Sequence, residues 1–155
     1  MINFDLHYIS ISIWTNFIEW EWRMYVSVTG IKTKGFISWV RFWMLAIPAS
    51  RDAQKAEGVL FCESKTCNEY HHTLTVWKTE QNMKTYRASA VHLKARKYFS
   101  QIASGKVYGY ETAYIPSWES ALTEFDNKAR DVWKFLTTTN LILNLGSFKE
   151  LTANQ

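Results

Sequence analysis

Apolar and polar positions divide the chain into short segments of two different periods. Residues 7–14, H-Y-I-S-I-S-I-W, alternate, with Ile9, Ile11 and Ile13 on one face and Ser10 and Ser12 on the other. A period of two predicts a half-buried strand. Residues 19–29 alternate again. Trp20, Trp22, Met24, Val26 and Val28 share one face, and Glu21, Arg23, Tyr25 and Ser27 share the other. Thr15-Asn16 between the two runs predicts a hairpin. The period then lengthens. Phe36, Trp39, Val40, Trp43 and Ile47 fall on one side of a helix that Pro48 is expected to end or kink. Ser50 to Glu57 is polar, and Gly58 suits a C-terminal cap. A short strand over Val59–Cys62 follows, with residues 63–68 as the turn into the next strand.

That next strand begins at Tyr70 and reads Y-H-H-T-L-T-V-W, rich in residues that fit a pleated surface. Thr79 is placed as an N-cap, with Glu80 in the first turn of a helix. The helix carries two apolar stripes. Met83, Tyr86 and Ala90 form one; Val91, Ala95, Tyr98, Phe99 and Ile102 form another, rotated by roughly a third of a turn. One straight helix buries one stripe well, so a break near Ser89 is expected, with Ser89 as a fresh N-cap. Gly105 is expected to close this helix, and Lys106 to Ile115 reads as a strand. After Pro116, Ser117 caps a last helix. Its stripe is Trp118, Ala121, Leu122, Phe125, Ala129, Val132 and Leu136.

Three units follow: an N-terminal extension over 1–23 with an extra strand, a central domain over 24–116, and a C-terminal helix and tail over 117–155. Met24 is a candidate internal start. The central order is strand, helix, strand, strand, helix, strand. It predicts an α+β, ferredoxin-like βαββαβ domain, with an antiparallel four-stranded sheet and its helices on one face. The opposite face of the sheet must be covered. Pairing with a second copy of the chain, as a homodimer, covers it.

Composition narrows the function classes. Aromatics are 16% of the chain and 8 of the residues are Trp, enough for a filled core, an interface or a pocket for a flat ligand. The net charge of +4 is mild, and Lys94, Arg96 and Lys97 make only a short basic cluster. Without a basic stripe or a reader motif, nucleic-acid binding is not expected. Cys62 and Cys67 lack the further ligands of a structural zinc site. His71 and His72 are adjacent, so on a strand they point to opposite faces. There is no Walker loop, dinucleotide glycine fingerprint or nucleophile triad. The first residues lack a basic n-region, and no apolar run approaches the ~20 residues of a membrane span. A cytoplasmic protein with free thiols is expected.

Residues 24–118 resemble the dimeric α/β-barrel superfamily, in the branch of antibiotic-biosynthesis and spheroidene monooxygenases. The resemblance is carried by M-Y-V-S-V-T-G-I-K, by T-L-T-V-W-K-T-E, and by Met83, Tyr86, Ser89, His92 and Ala95 at three-residue spacing. It implies a cavity between sheet and helices, and oxidation of an aromatic or polyene molecule by oxygen without metal or flavin. A second branch binds and degrades haem, the alternative cofactor. There the axial His lies one turn beyond the His92 position, where this chain has Arg96.

Candidate chemistry centres on His92, which can take a phenolic proton because an imidazole titrates near neutrality. Trp77 would stack on a flat substrate and Tyr86 would donate a hydrogen bond. Arg96 would clamp an anion. His72 shares its strand face with Leu74 and Val76 and is expected to point toward the helices and the pocket. The rival reading is a non-catalytic binding or interaction protein, with Trp77 and His92 as packing.

Overall fold

A computed structural model describes residues 23–132. The expected strand over 7–14, its hairpin, and the helix and tail beyond Val132 lie outside the described residues. The described chain runs β1 (Met24–Thr33), α1 (Phe36–Ala53), β2 (Val59–Cys67), β3 (Tyr70–Trp77), α2 (Glu80–Arg87), α3 (Ala90–Ile102), β4 (Ala103–Thr112), α4 (Trp118–Lys128) and β5 (Arg130–Asp131). This is the expected βαββαβ order, with an extra helix and a short fifth strand.

All strand pairs are antiparallel, in the order β2-β3-β1-β4-β5. β1 is central, and its whole length pairs with β4, from Met24 opposite Thr112 to Thr33 opposite Ala103. The two sides of the sheet are occupied differently. Tyr25, Ser27, Thr29 and Ile31 of β1 face α1–α3, whereas Val26 and Val28 face α4. The latter pack with Leu74, Val76, Ala121 and Phe125. Val26, Val28, Leu74 and Val76 are all 0% exposed. The sheet face that was expected to need a second chain is therefore covered by α4 of the same chain.

Local chemistry sets most boundaries. The Thr79 side chain accepts from the Asn82 N–H at 3.1 Å and starts α2. Ser89 breaks the long helix as expected: its Oγ accepts from the His92 N–H at 3.3 Å and starts α3. Ser117 caps α4 in the same way. Each cap satisfies an N–H that the first helical turn leaves without a partner.

Six expectations are corrected. α1 runs through Pro48 to Ala53. Proline removes one intrahelical bond, but the turn beyond it is held from outside. The Tyr86 hydroxyl donates to the Ala49 carbonyl at 2.9 Å, and Ser89 Oγ donates to Asp52 Oδ2 at 3.0 Å. The buried side of α1 is also rotated from the expected stripe. Phe42, Ala49 and Ala53 are buried, while Phe36, Trp39, Val40 and Ile47 are exposed. In α3, Ala95 and Ile102 are buried as expected, but Val91 and Tyr98 are exposed.

β2 continues through the residues expected to turn, ending at a two-residue hairpin of Asn68 and Glu69, both at positive φ. Its E-S-K-T stretch is mostly polar because β2 is an edge strand. Gly105 lies in β4 and does not close the helix, which ends at Ile102. A Cβ at Gly105 would come within 2.7 Å of the Ile31 side chain, so close packing against β1 requires the glycine. α4 stops at Lys128. Ala129 is extended, and Arg130–Asp131 pair with Val107 and Lys106 at the sheet edge. Edge pairing thus interrupts the helical stripe after Lys128.

Candidate functional site

Three side chains predicted to act together do meet. β3 ends at Trp77, and α2 and α3 carry Tyr86 and His92 on either side of the Ser89 break. Trp77 and Tyr86 stack with ring centroids 5.2 Å apart and planes at 24°. Tyr86 meets His92 edge-on at 5.0 Å. The break makes this contact, because the two apolar stripes of the segment differ in azimuth.

Each ring is differently constrained. Trp77 is fully buried, and its indole N–H donates to Thr75 Oγ1 at 2.9 Å. Thr75 Oγ1 in turn donates to the Ser27 carbonyl at 3.3 Å. Trp77 therefore positions Tyr86 and is not itself open to a ligand. The Tyr86 hydroxyl is held by the Ala49 carbonyl. Burial first, then nearby Cys62 and Asp52, push its pKa well above the usual phenol range. It is a hydrogen-bond donor that does not ionise near neutrality.

His92 is the exception. Its backbone N–H is used in the cap, but its side-chain Nδ1 is buried without a hydrogen-bond partner. Burial, and then the Arg96 guanidinium one turn on, push its pKa down to about 4, against weaker upward pulls from the Arg87 backbone and Asp52. At neutral pH the imidazole is uncharged and one ring nitrogen is unsatisfied. Such a group calls for an explanation. Arg96 is half-buried, and burial followed by Arg87 lowers its pKa, though a guanidinium stays charged.

Ser27, Thr29 and Thr73 line the same side of the sheet and are only half-buried. Val107, opposite Thr29 on that side, is 37% exposed. The α1–α3 layer thus leaves a hydroxyl-bearing floor within reach of solvent.

His72 does not join this group. It shares a face with Leu74 and Val76 as expected, but that face meets α4 and not the helix layer. Its ring lies edge-on to Phe125 at 5.1 Å. His71 takes the helix-layer side, stacked on Phe42 at 4.9 Å, with its Nδ1 against Thr66 Oγ1 at 2.9 Å. Cys62 and Cys67 are free thiols on opposite faces of β2, since they pair with Thr75 and Tyr70. Among the described residues no cluster of three or more His, Cys, Asp or Glu could hold a metal ion.

Sequence reasoning missed Asp52, the carboxylate that anchors Ser89. Its partner lies 37 residues away, and no local pattern links them. It also missed a hollow of about 160 Å³ under α4, lined by His72, Lys106 and Asp126 among others. These residues come from three separate elements.

No protein-family model matches the chain, and no curated protein matches it in sequence. Solved structures do match in fold. A candidate antibiotic biosynthesis monooxygenase from Nitrosomonas europaea superposes at TM-score 0.53, with 14% identity over 58% of this chain and 99% of its own. SnoaB, a cofactor-independent oxygenase from Streptomyces nogalater, gives TM-score 0.51, with 10% identity over 61% of this chain and 96% of its own. A protein of Shewanella oneidensis gives 0.53, with 12% identity over 59% and 92%. The chain has the ferredoxin-like fold of antibiotic-biosynthesis monooxygenases. Identity this low shows the fold alone.

Proposed function

We propose that the protein is a cofactor-independent oxygenase acting on an electron-rich aromatic or polyene small molecule. The observation that supports this most is the Trp77–Tyr86–His92 ring series. It ends in an imidazole with an unpartnered Nδ1 beside a half-buried Arg96. The fold it sits on is shared with a cofactor-independent oxygenase.

In this reading an acidic phenol or enol binds over the hydroxyl floor, and Arg96 draws its developing negative charge. His92 accepts the proton. In the empty site its low pKa makes it a weak base, but a bound anion stabilises the imidazolium and raises that pKa. The deprotonated substrate is electron-rich enough to react with oxygen. A ring methylene becomes a carbonyl, losing two hydrogens and gaining one oxygen atom, and the second oxygen atom leaves as water.

Among the described residues the expected axial histidine of a haem is missing. The position one turn beyond His92 is Arg96, whose guanidinium is no iron ligand. His71 is wedged against Phe42 and Trp43, and His72 faces α4.

The protein is proposed to work as a homodimer. With α4 covering one sheet face, the contact area would come from α1, where Phe36, Ile37 and Met44 are each at least 70% exposed. Sedimentation analysis of wild type and Met44→Glu tests this: a monomer in wild type overturns it. Among the described residues no helix is long and apolar enough to cross a membrane.

Oxygen uptake with a tricyclic anthrone tests the activity. His92→Ala is expected to lower the rate by about 10²-fold or more, the usual worth of a positioned base. Equal rates remove His92 from the mechanism. A second reading, binding without turnover, draws on the complete burial of Trp77. Saturable binding of the anthrone with no oxygen uptake selects it.

A further inference from the structure

The rings around the Ser89 break differ in how their polar atoms are held. The Trp77 indole N–H is tied to Thr75, and the Tyr86 hydroxyl to the Ala49 carbonyl. His92 Nδ1 has no partner. A further ring shares that property. Tyr25 of β1 stands opposite Trp77 on β3 and Glu111 on β4, on the face toward the helices. Directly opposed residues bring their Cβ atoms to about 5 Å, so Tyr25 adjoins the ring series. Among the described residues no hydrogen bond holds its hydroxyl.

A glycine fixes where that hydroxyl lies. Gly109 of β4 pairs with Ser27, on the same face. A Cβ on Gly109 would overlap Tyr25 Oη, and would stand 2.8 Å from its Cζ and 3.1 Å from its Cε1. The tip of the phenol therefore fills the space that a side chain on Gly109 would take. It crosses from β1 to β4 and ends beside Ser27, on the floor that the helices leave open. Tyr25 and Gly109 are both half-buried there. A ring laid over a strand glycine shields it, and phenylalanine would do so equally well. That packing does not need the hydroxyl.

The surroundings keep the phenol neutral. Glu80, Lys84 and Arg87 of α2 and Glu111 of β4 act on it. Both carboxylates already have cationic partners, Lys84 at 2.8 Å and Arg23 at 3.6 Å. Burial first, and then Glu80, raise the Tyr25 pKa above the usual phenol range. The hydroxyl stays protonated near neutrality and is a hydrogen-bond donor. Arg87 acts on both Tyr25 and His92, so hydroxyl and imidazole share one neighbourhood. A hydrocarbon laid over the hydroxyl strips its water and returns no bond, which is costly. A carbonyl oxygen returns the bond. We propose that Tyr25 is a specificity-determining residue of this site, its hydroxyl donating to an oxygen of the bound substrate and so setting which ring position faces His92. This rests on the oxygenase reading and adds to it a group that tells an oxygen-bearing ring system from the same frame without the oxygen.

The test is equilibrium binding of anthrone and of dihydroanthracene, the same tricyclic frame without the carbonyl oxygen, to the full chain. Oxygen uptake with anthrone is measured alongside. Wild type is expected to bind anthrone at least about fivefold more tightly than dihydroanthracene. Tyr25→Phe keeps the ring over Gly109. It is expected to lose about fivefold in anthrone affinity and to bind dihydroanthracene as wild type does. A merely structural role would weaken both ligands or neither. Gly109→Ala, which pushes the hydroxyl from its place, is expected to erase the preference with the hydroxyl still present. If that variant does not fold, Tyr25→Phe decides alone. No anthrone binding or no preference in wild type, or a wild-type preference in Tyr25→Phe or in folded Gly109→Ala, would overturn the proposal. Oxygen uptake separates the two readings. A preference that depends on Tyr25 without uptake keeps Tyr25 as a binding group and removes the oxygenase. Uptake with a Tyr25→Phe variant that binds as wild type keeps the oxygenase and removes Tyr25.

Discussion

The two faces of the sheet are built on opposite principles, although the same three strands supply both. Toward α4, alternate residues are Val26, Val28, Leu74 and Val76, none of them exposed. Toward α1–α3, the residues between them are Ser27, Thr29, Thr73 and Thr75, and next to these lie Trp77, Tyr86 and His92. One face is dry and apolar for most of its length. The other is polar and partly wet along Ser27, Thr29 and Thr73, with an apolar cluster of Ile31, Phe42, Ile102 and Ala103 at one end. A strand's period of two makes this division cheap to encode, because each face can be set independently. Both faces bury apolar side chains, with Ile31, Phe42, Trp77 and Ile102 on the helix-layer side, but the candidate chemistry lies on the helix-layer side alone.

The largest test of that contrast is a pair of neighbours on β3. Leu74→Ala is expected to cost about 2–5 kcal/mol, since it empties a fully enclosed site. Thr73→Ala, one residue away but half-buried on the other face, is expected to stay within about 0.5 kcal/mol. Chemical denaturation of both checks this, and similar losses would break the comparison.

A pH titration of stability comes next. The folded pKa of His92 is near 4, below its ordinary value of 6.5. Between those values the unfolded chain binds more protons than the folded one, so stability rises with pH. It is complete above pH 6.5 and is lost as pH falls toward 4. The expected loss is up to about 3 kcal/mol. His71 and His72, also lowered by burial, add to it with the same sign. His92→Gln should flatten most of the slope. A slope that survives in His92→Gln would move the effect to the other histidines.

The smallest test concerns the break itself. Ser89→Ala removes both the cap on α3 and the bond to Asp52, and should cost about 1–2 kcal/mol. Its particular signature would be a shift of the Trp77 indole N–H resonance, through Tyr86, which a cap lost elsewhere would not produce. Ser117→Ala, which caps α4, is the control.

What was legible in the sequence was what short-range chemistry decides. Thr79, Ser89 and Ser117 were readable as caps because each acts on an N–H three residues away. The ferredoxin-like order followed from the changes of period. That Trp77, Tyr86 and His92 belong to one region was implied by the family resemblance, not by local pattern, and their direct ring contacts were not foreseen. The misses share a cause, namely partners distant in sequence. Pro48 could not reveal that Tyr86 and Ser89 hold the turn beyond it. α1 is apolar nearly all round, so its period did not say which side Phe42 would bury against His71. His72 shared a face with Leu74 and Val76, but nothing local said that this face belongs to α4. The hollow under α4 is lined by residues of separate elements, and no local pattern brings His72, Lys106 and Asp126 together.

The phenol of Tyr86 has a consequence beyond its own bond. It fastens the last turns of α1 to the elbow between α2 and α3, and Ser89 drives a second rivet through the same joint. A molecule that levers that ring away from Trp77 must also slacken the helix beyond Pro48.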